Sequence, residues 1–386
     1  MMTEITGKDL SEKLRWHGRT FFDQVRCAEF FDWTCAGFSF EFTGTRADAM
    51  ICAIPGVVQA MKPGTVPLIM EPVNVPDYPW IGVFIDNHEQ PEFTFQLQKE
   101  RQHVTLYLSD RAETHTIHVV KLSEAQFSLA ALMKLSSDGS IQKDEDKTQG
   151  GIEFIGDSIT CGFGNMTDDT GRAFHNHEEN GWLSYGAVAA RLLKLEPSMI
   201  SFSGIGVVQQ DGFGAYGMED LYEYTDRVGQ DVLAGRILAP AIPGQAASDI
   251  SEPSPERWEF QKHPKDYVVL NLGTNDATFI QFNNGAYSEE NFMNAYGRLI
   301  RKIRELNGPQ TKMICALGSI DYYLFPEIEQ AVARYRHESG DQKISTFRFS
   351  KMIMQGRDVG GCGHPSHWKH EIMGQEFAEY IRSIEQ

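Results

Sequence analysis

No stretch of the 386 residues approaches the roughly 18 consecutive apolar residues that a membrane-crossing helix requires. The opening segment Met1-Met2-Thr3-Glu4-Ile5-Thr6-Gly7-Lys8-Asp9 has neither the basic region nor the apolar core of a secretory leader, so a cytoplasmic protein is expected. Lysine and arginine never cluster, and the net charge is −18, which argues against a nucleic-acid partner because phosphate binding needs local basic surface. Cysteine is sparse. Cys27, Cys35, Cys52, Cys161, Cys315 and Cys362 form no C-x-x-C pair and sit in apolar contexts, which predicts reduced, buried thiols and no disulfide framework. There is no H-E-x-x-H, no Walker lysine motif, no G-x-S-x-G elbow and no low-complexity tract.

What remains is the composition of a soluble globular protein, 41% hydrophobic and 23% charged, in a chain long enough for two domains. Residues 1–140 read as β. Phe38-Ser39-Phe40-Glu41-Phe42-Thr43 and Glu92-Phe93-Thr94-Phe95-Gln96-Leu97 alternate apolar and polar residues. Val104–Leu108 and Thr116–Val120 follow at intervals of about ten residues, the spacing of a β-sandwich or jelly roll with Phe31 and Trp33 in its core. The polar stretch Ser136-Ser137-Asp138-Gly139-Ser140 and the charge run 142–147 predict the domain boundary.

Residues 150–386 change pattern. Strand candidates Ile152–Ile155, Met199–Phe202, Tyr267–Asn271, Met313–Leu317 and Ile344–Phe347 alternate with helical stretches at Trp182–Leu195, Glu289–Glu305, Pro326–His337 and Ser366–Ile384. Ser288 is placed to cap the second of these helices. The alternation predicts a doubly wound α/β domain of five parallel strands in flavodoxin-like order, the first strand central.

Chemistry concentrates where these strands end. Gly156-Asp157-Ser158 directly follows the first strand, which sets the serine hydroxyl at the carboxyl edge of the sheet, where open α/β folds bind ligands. A serine needs a base to become a nucleophile, and His364, in Gly360-Gly361-Cys362-Gly363-His364-Pro365 before the last helix, is the candidate. Pro365 suits the start of that helix. Acyl transfer also needs donors aimed at the developing oxyanion. The N–H of Ser158, the N–H of Gly204 after the second strand and the side-chain amide of Asn275 after the third are available.

The blocks Gly156-Asp157-Ser158, Ser203-Gly204, Gly273-Thr274-Asn275-Asp276 and His364-Pro365 resemble those of the SGNH (GDSL-type) hydrolases. The stretch from Gly156 to Asn165 is similar to carbohydrate esterase family two, and Gly37–Thr45 to a segment of that family's N-terminal jelly roll. The resemblance implies a jelly roll joined to an SGNH hydrolase domain that removes acetyl groups from plant polysaccharides. It assigns Ser158 as nucleophile, His364 as general base, and Ser158, Gly204 and Asn275 as the oxyanion hole. No cofactor is expected for this chemistry.

Most SGNH enzymes carry an aspartate two or three residues before the histidine. Cys362 and Gly361 stand there in this chain, so a Ser158–His364 dyad is expected. Asp358 is the alternative acid, and Asp157 the residue that supports the nucleophile turn. Substrate contacts are sought among the aromatics Phe163, Trp182, Tyr322 and Tyr323, with Phe325 also near these blocks; Trp182 and Tyr185 also fit a core face of one helix. His364, His367 and His370 recur every third residue without a carboxylate partner, so His367 and His370 read as polar residues of the last helix rather than metal ligands. Gly212-Phe213-Gly214-Ala215-Tyr216-Gly217 matches G-x-G-x-x-G by letters but lies deep in a connection, hence a loop near the pocket. The expected reaction is deacetylation of acetylated xylo- or manno-oligosaccharides, imported because no leader is seen. A lipid or thioester hydrolase on the same scaffold and an inactive carbohydrate-binding protein are the alternatives. No membrane or nucleic-acid partner is expected, and homo-oligomerisation through the N-terminal domain stays open.

Overall fold

The computed structural model describes residues 3–63, 70–86, 88–145, 147–168, 174–209, 216–236, 255–282 and 285–385. Two sheets dominate them. The C-terminal one has five parallel strands: Gly151–Gly156, Glu196–Ser201, Tyr267–Asn271, Lys312–Leu317 and Ile344–Arg348. They lie in the order second, first, third, fourth, fifth, every neighbouring pair parallel. This is the doubly wound arrangement expected from the alternation. Gly156 pairs with Ser201 on one side and Asn271 on the other, so the carboxyl ends of the first three strands in chain order finish level.

Successive strand residues point to opposite faces, and both faces are covered. On one face Phe154, Val269, Ile314 and Ala316 pack with Tyr185 and Ala189 of the helix Tyr185–Leu193 and with Met373, Phe377 and Ile381 of the helix His367–Ile384. The other carries Ile155, Val268, Leu270, Met313, Cys315 and Leu317 against the helices Glu289–Asn307 and Phe325–Ser339. Glu289–Asn307 forms because Phe292, Ala295, Tyr296, Leu299, Ile300 and Ile303 recur at helical spacing as one buried stripe. Ser288 caps it, its Oγ accepting from Asn291 N–H. Each of these fully buried large side chains contributes about 1.5–3 kcal/mol.

Several boundaries differ from the sequence reading. Trp182 belongs to a short 3-10 turn, Gly181–Leu183, and Ser184 starts a separate helix, so Trp182 and Tyr185 do not share a face. The last helix begins at His367 with Ser366 as its cap; Pro365 instead pairs with Val359 in a one-residue bridge. The helix Thr274–Phe282, which carries Asn275, has little amphipathic pattern and was not anticipated. The G-x-G-x-x-G match lies largely outside the described residues.

The N-terminal part is antiparallel. Its central path runs Phe21–Asp23, Ala28–Phe30, Leu129–Ser137, Gly37–Ile54, Arg101–Lys121, Trp80–Ile85, Phe93–Gln96. Phe38, Phe40 and Phe42 are buried while Glu41 and Thr43 are exposed, as the alternation predicts; Ser39 departs from it, buried with its Oγ donating to Asp144 Oδ2 at 2.8 Å. Val104–Leu108 and Thr116–Val120 are not two strands but parts of one, Arg101–Lys121, whose register slips between Thr105 and Tyr107 and between Leu108 and Glu113. The polar residues between them bend the strand without turning it back. Antiparallel pairing also continues to Lys143, because Ser140–Lys143 adds to Gly37–Ile54. Two of the six cysteines, Cys27 and Cys362, are exposed; the other four are buried free thiols.

The two sheets meet over buried charge. Arg19 of the N-terminal part is 1% exposed and donates through Nη2 to Glu153 Oε1 at 2.9 Å and through Nε to Oε2 at 3.3 Å. Its Nη1 donates to the carbonyls of Tyr222 and Tyr224 at 2.6 and 2.7 Å, and its plane lies over Tyr222 and Phe260. Burial alone would raise the Glu153 carboxyl, yet the charges of Arg19 and Lys265 hold it below the usual carboxylate value. Trp33 adds a neutral link, its indole N–H donating to Thr225 O at 2.8 Å. Removing one partner of a buried pair leaves an uncompensated charge. Arg19→Ala is therefore expected to lose about 3–5 kcal/mol of unfolding free energy in a denaturant titration at neutral pH. Because the folded Glu153 is depressed, the contribution is complete above its unfolded value of about 4.5 and declines as pH falls through the folded value. A loss below about 1 kcal/mol would contradict this account.

Candidate active site

Gly156 ends the first parallel strand so closely against Thr160 that a Cβ there would meet Thr160 Oγ1 at 2.0 Å. The chain then turns at Asp157, whose Oδ1 accepts from Ile159 N–H at 2.9 Å and caps the one-turn helix Ser158–Cys161. Ser158 is the first residue of that helix and is 7% exposed. Asp157 thus supports the turn, as read from sequence. Burial pushes its carboxyl up to about 7.

His364 Nε2 lies 2.8 Å from Ser158 Oγ, within reach to take its proton. The loop holding the imidazole is tied to the segment after Ser158 by one backbone bond and is closed by two of its own. Gly361 N–H donates to Gly164 O at 2.8 Å, Gly360 N–H to His364 O at 2.7 Å, and His364 N–H to Gly361 O at 3.1 Å. Gly164 has φ +67°, and a Cβ on it would meet Gly361 O at 2.8 Å; a Cβ on Gly360 would meet Gly164 O at 2.6 Å. Only glycine lets the two segments approach this closely. The Phe163 ring stands 4.8 Å from the imidazole and stacks on Phe174 at 4.0 Å. Burial lowers the His364 pKa, partly offset by the nearby carbonyls of Cys362 and Gly361. The neutral ring required of a base is thereby favoured.

Among the described residues no carboxylate bonds to His364, and its Nδ1 is buried without a hydrogen-bond partner. Asp358 is occupied elsewhere: Oδ2 accepts from Ile353 N–H at 3.1 Å, and its carbonyl from Ser366 N–H at 2.8 Å. The alternative acid is therefore not in place. His367 and His370 face other partners. His367 N–H donates to Asn165 O at 3.0 Å, and the wholly buried His370 accepts from Tyr185 N–H at Nδ1, with burial pushing its pKa down to about 3.

The donor groups converge on the same turn. Asn275 Nδ2 donates to Ile205 O at 2.9 Å and approaches Asp157 Oδ2 at 3.4 Å, joining the third-strand loop to the second-strand loop and the Ser158 turn. Gly204, between Ser203 and Ile205, sits at φ +80°. Asp276, the next residue after Asn275, accepts from Val207 N–H at 3.1 Å and holds the far side of that loop; burial raises its carboxyl to about 7. Hydrogen bonds thus connect Asp157, Ile205 and Asn275, and donors set around a serine–histidine pair can stabilise an oxyanion.

The aromatic expectations divide. Phe163 lies at the site. Trp182 does not: it packs on Phe84 at 4.6 Å and under Arg191, beside a cavity that also includes Glu196 and Pro197, the amino end of the second parallel strand. The 3-10 turn carries it away from the serine. Tyr322 donates to Phe349 O at 2.5 Å and lines a groove along the outermost strand with Phe347 and Arg348, and Tyr323 is exposed and bonded to Glu289. Two aromatic neighbours escaped the sequence reading. Phe174 stacks on Phe163, and Phe127, from the N-terminal part, lies 5.0 Å from Phe174 and 6.0 Å from Phe163. No local signal marks either one, since both reach the site only through tertiary packing. One buried group among the described residues, Glu124, Cys161 and Glu179, has ligand atoms within 4.8 Å of one another and could hold a cation.

Residues 154–348 match the GDSL-like lipase/acylhydrolase family. The cellulase/esterase CelE of Acetivibrio thermocellus is 27% identical over 313 residues, 79% of this chain; the chain spans 34% of that relative's length. Similar folds include a family two carbohydrate esterase from Clostridium thermocellum in complex with cellohexaose, with a TM-score of 0.74, 24% identity, and coverage of 96% of this chain and 98% of that one. The acetyl xylan esterase Est2A from Butyrivibrio proteoclasticus aligns with a TM-score of 0.78 and 17% identity, over 99% of this chain and 98% of that one. With half of its residues matched and the serine, histidine and asparagine blocks standing around one turn, the chain belongs to the GDSL-like lipase/acylhydrolase family.

Proposed function

We propose that this chain is a carbohydrate O-acetyl esterase working through a Ser158–His364 dyad. The observation that carries the reading is the 2.8 Å contact between Ser158 Oγ and His364 Nε2 at the carboxyl edge of the parallel sheet. Ser158 Oγ attacks the acetyl carbonyl carbon while His364 Nε2 takes the hydroxyl proton. The oxyanion is held by the N–H groups of Ser158 and Gly204 and by the Asn275 amide, of which one hydrogen is fixed on Ile205 O and the other has only the long contact to Asp157. The intermediate collapses, breaking the bond to the sugar oxygen, which leaves with the proton from His364. Water, deprotonated by the same imidazole, then attacks the acetyl carbon, and His364 returns that proton to Ser158 Oγ as the ester bond breaks and acetate leaves. No cofactor enters these steps.

A sugar alcohol as the leaving group is supported by the company this fold keeps: a cellulase/esterase, an acetyl xylan esterase and an esterase complexed with cellohexaose. The aromatic wall of Phe163, Phe174 and Phe127 beside His364 suits the apolar face of a pyranose, consistent with acetylated xylo- or manno-oligosaccharides as substrates. The same likeness supports reading residues 1–140 as a jelly-roll domain and 150–386 as the catalytic one.

The direct test is Ser158→Ala. It is expected to lower acetate release from 4-nitrophenyl acetate by at least about 10³-fold with the thermal transition unchanged, and wild-type turnover would sink the mechanism. The pH profile offers a second check. A base whose pKa is lowered stays neutral further into acid, so the acid limb of kcat/KM should have its midpoint below 6.5. A midpoint at or above 6.5 would mean that His364 is not the group titrating there.

A further inference from the structure

We propose that Glu124, a residue of the N-terminal part, is a positioning residue that holds the Ser203-Gly204 loop in its oxyanion-binding geometry; the proposal rests on the esterase reading above. Glu124 lies just beyond the strand Arg101–Lys121 and is fully buried. Its carboxylate reaches across to the second-strand loop, where Oε2 accepts from Ser203 N–H at 2.7 Å and Oε1 accepts from the Ser203 hydroxyl. One side chain thereby fixes both the backbone and the side chain of the residue preceding Gly204. Gly204 has no side chain and sits at φ +80°, so its own packing does little to aim its N–H. The aim must come from its neighbours.

The surroundings make Glu124 a rigid support. Lys121 Nζ donates to the carbonyls of Ser123 and Glu124 at 2.8 and 2.7 Å, which fastens the backbone that bears the carboxylate. Cys161, the last residue of the nucleophile helix, packs its Sγ in the same cluster and contacts Ser201 Oγ at 3.2 Å. Glu179 approaches from a third direction with neither carboxylate oxygen hydrogen-bonded. Burial, then the charge of Glu124, push the Glu179 carboxyl well above the usual carboxylate range, while the Glu124 oxygens are both engaged by Ser203. The cluster therefore ties the helix of Ser158 and the loop of Gly204 to one anchor outside the parallel sheet. A displacement of about 1 Å at such a donor costs on the order of 10²-fold in rate.

A brace between domains would change stability; a positioning residue changes the transition state. The full chain should therefore be compared as wild type, Glu124→Gln, Ser203→Ala and the double variant, using 4-nitrophenyl acetate and inhibition by methylboronic acid, which forms a tetrahedral serine adduct. Glu124→Gln is expected to lower kcat about 100-fold with KM within about twofold, and to weaken boronate inhibition in parallel. Ser203→Ala, which keeps the backbone bond, should lose about tenfold, and the double variant should be no worse than Glu124→Gln alone. A folded Glu124→Gln with wild-type kcat, or with unaltered boronate inhibition, would overturn the proposal. Should that variant fail to fold, Ser203→Ala decides: kcat within about twofold of wild type overturns it. Ser158→Ala run alongside separates the two claims, since activity surviving in that variant would refute the esterase reading itself.

Discussion

An imidazole without a carboxylate behind it has to be aimed by packing, and that constraint organises the C-terminal half of this protein. His364 is carried on a glycine-rich loop whose backbone lies directly on the backbone of Gly164, close to the Ser158 turn only because neither segment carries a Cβ at the crossing. Phe163 closes one side of the ring, and the chain that follows is anchored by Ser366 as the cap of the last helix. Burial supplies what a carboxylate would otherwise help to secure in a different way: orientation comes from close contact, and the neutral ring from desolvation. A triad aspartate would instead stabilise the imidazolium as it forms.

The sheet underneath makes this economical. Three strands end level at Gly156, Ser201 and Asn271, so three short loops deliver the serine, the glycine N–H and the asparagine amide to one place without long connections. Buried acids then fasten those loops to one another. Asp157 caps the helix that Ser158 opens, Asp276 holds Val207, and Glu124 holds Ser203, each with its carboxyl raised by burial to about 7. The third comes from outside the parallel sheet. With the Arg19–Glu153 pair beneath, it makes the N-terminal antiparallel part a structural partner of the site.

The parallel sheet and the residues around Ser158 were legible in the sequence for a physical reason. Ser158 and Asn275 sit just beyond the strand ends Gly156 and Asn271, and buried parallel strands read as apolar runs. Gly156-Asp157-Ser158 and Gly273-Thr274-Asn275-Asp276 both follow such runs. What comes from across the fold was not legible. Glu124 and Phe127 follow a strand whose pattern says only that it is half-buried, and Phe174 stands in a connection with no periodicity. Trp182 misled because an apolar face was extended through Ser184, where the chain breaks into a turn and a new helix. Tyr322 follows the fourth strand as anticipated, but its hydroxyl is drawn to Phe349 O, towards the outer strand.

The claim at the centre of this account is that backbone packing, in place of an acid, holds the catalytic histidine. Turnover of Gly164→Ala and Asp358→Asn, measured side by side on 4-nitrophenyl acetate, tests it most directly. Gly164→Ala should fall by about 100-fold, because the new Cβ pushes Gly361 and its loop away from Ser158. Asp358→Asn, whose amide oxygen can still accept from Ile353 N–H, should stay within about twofold of wild type. The reverse pattern, with Asp358→Asn crippled and Gly164→Ala unaffected, would contradict the account and restore a triad.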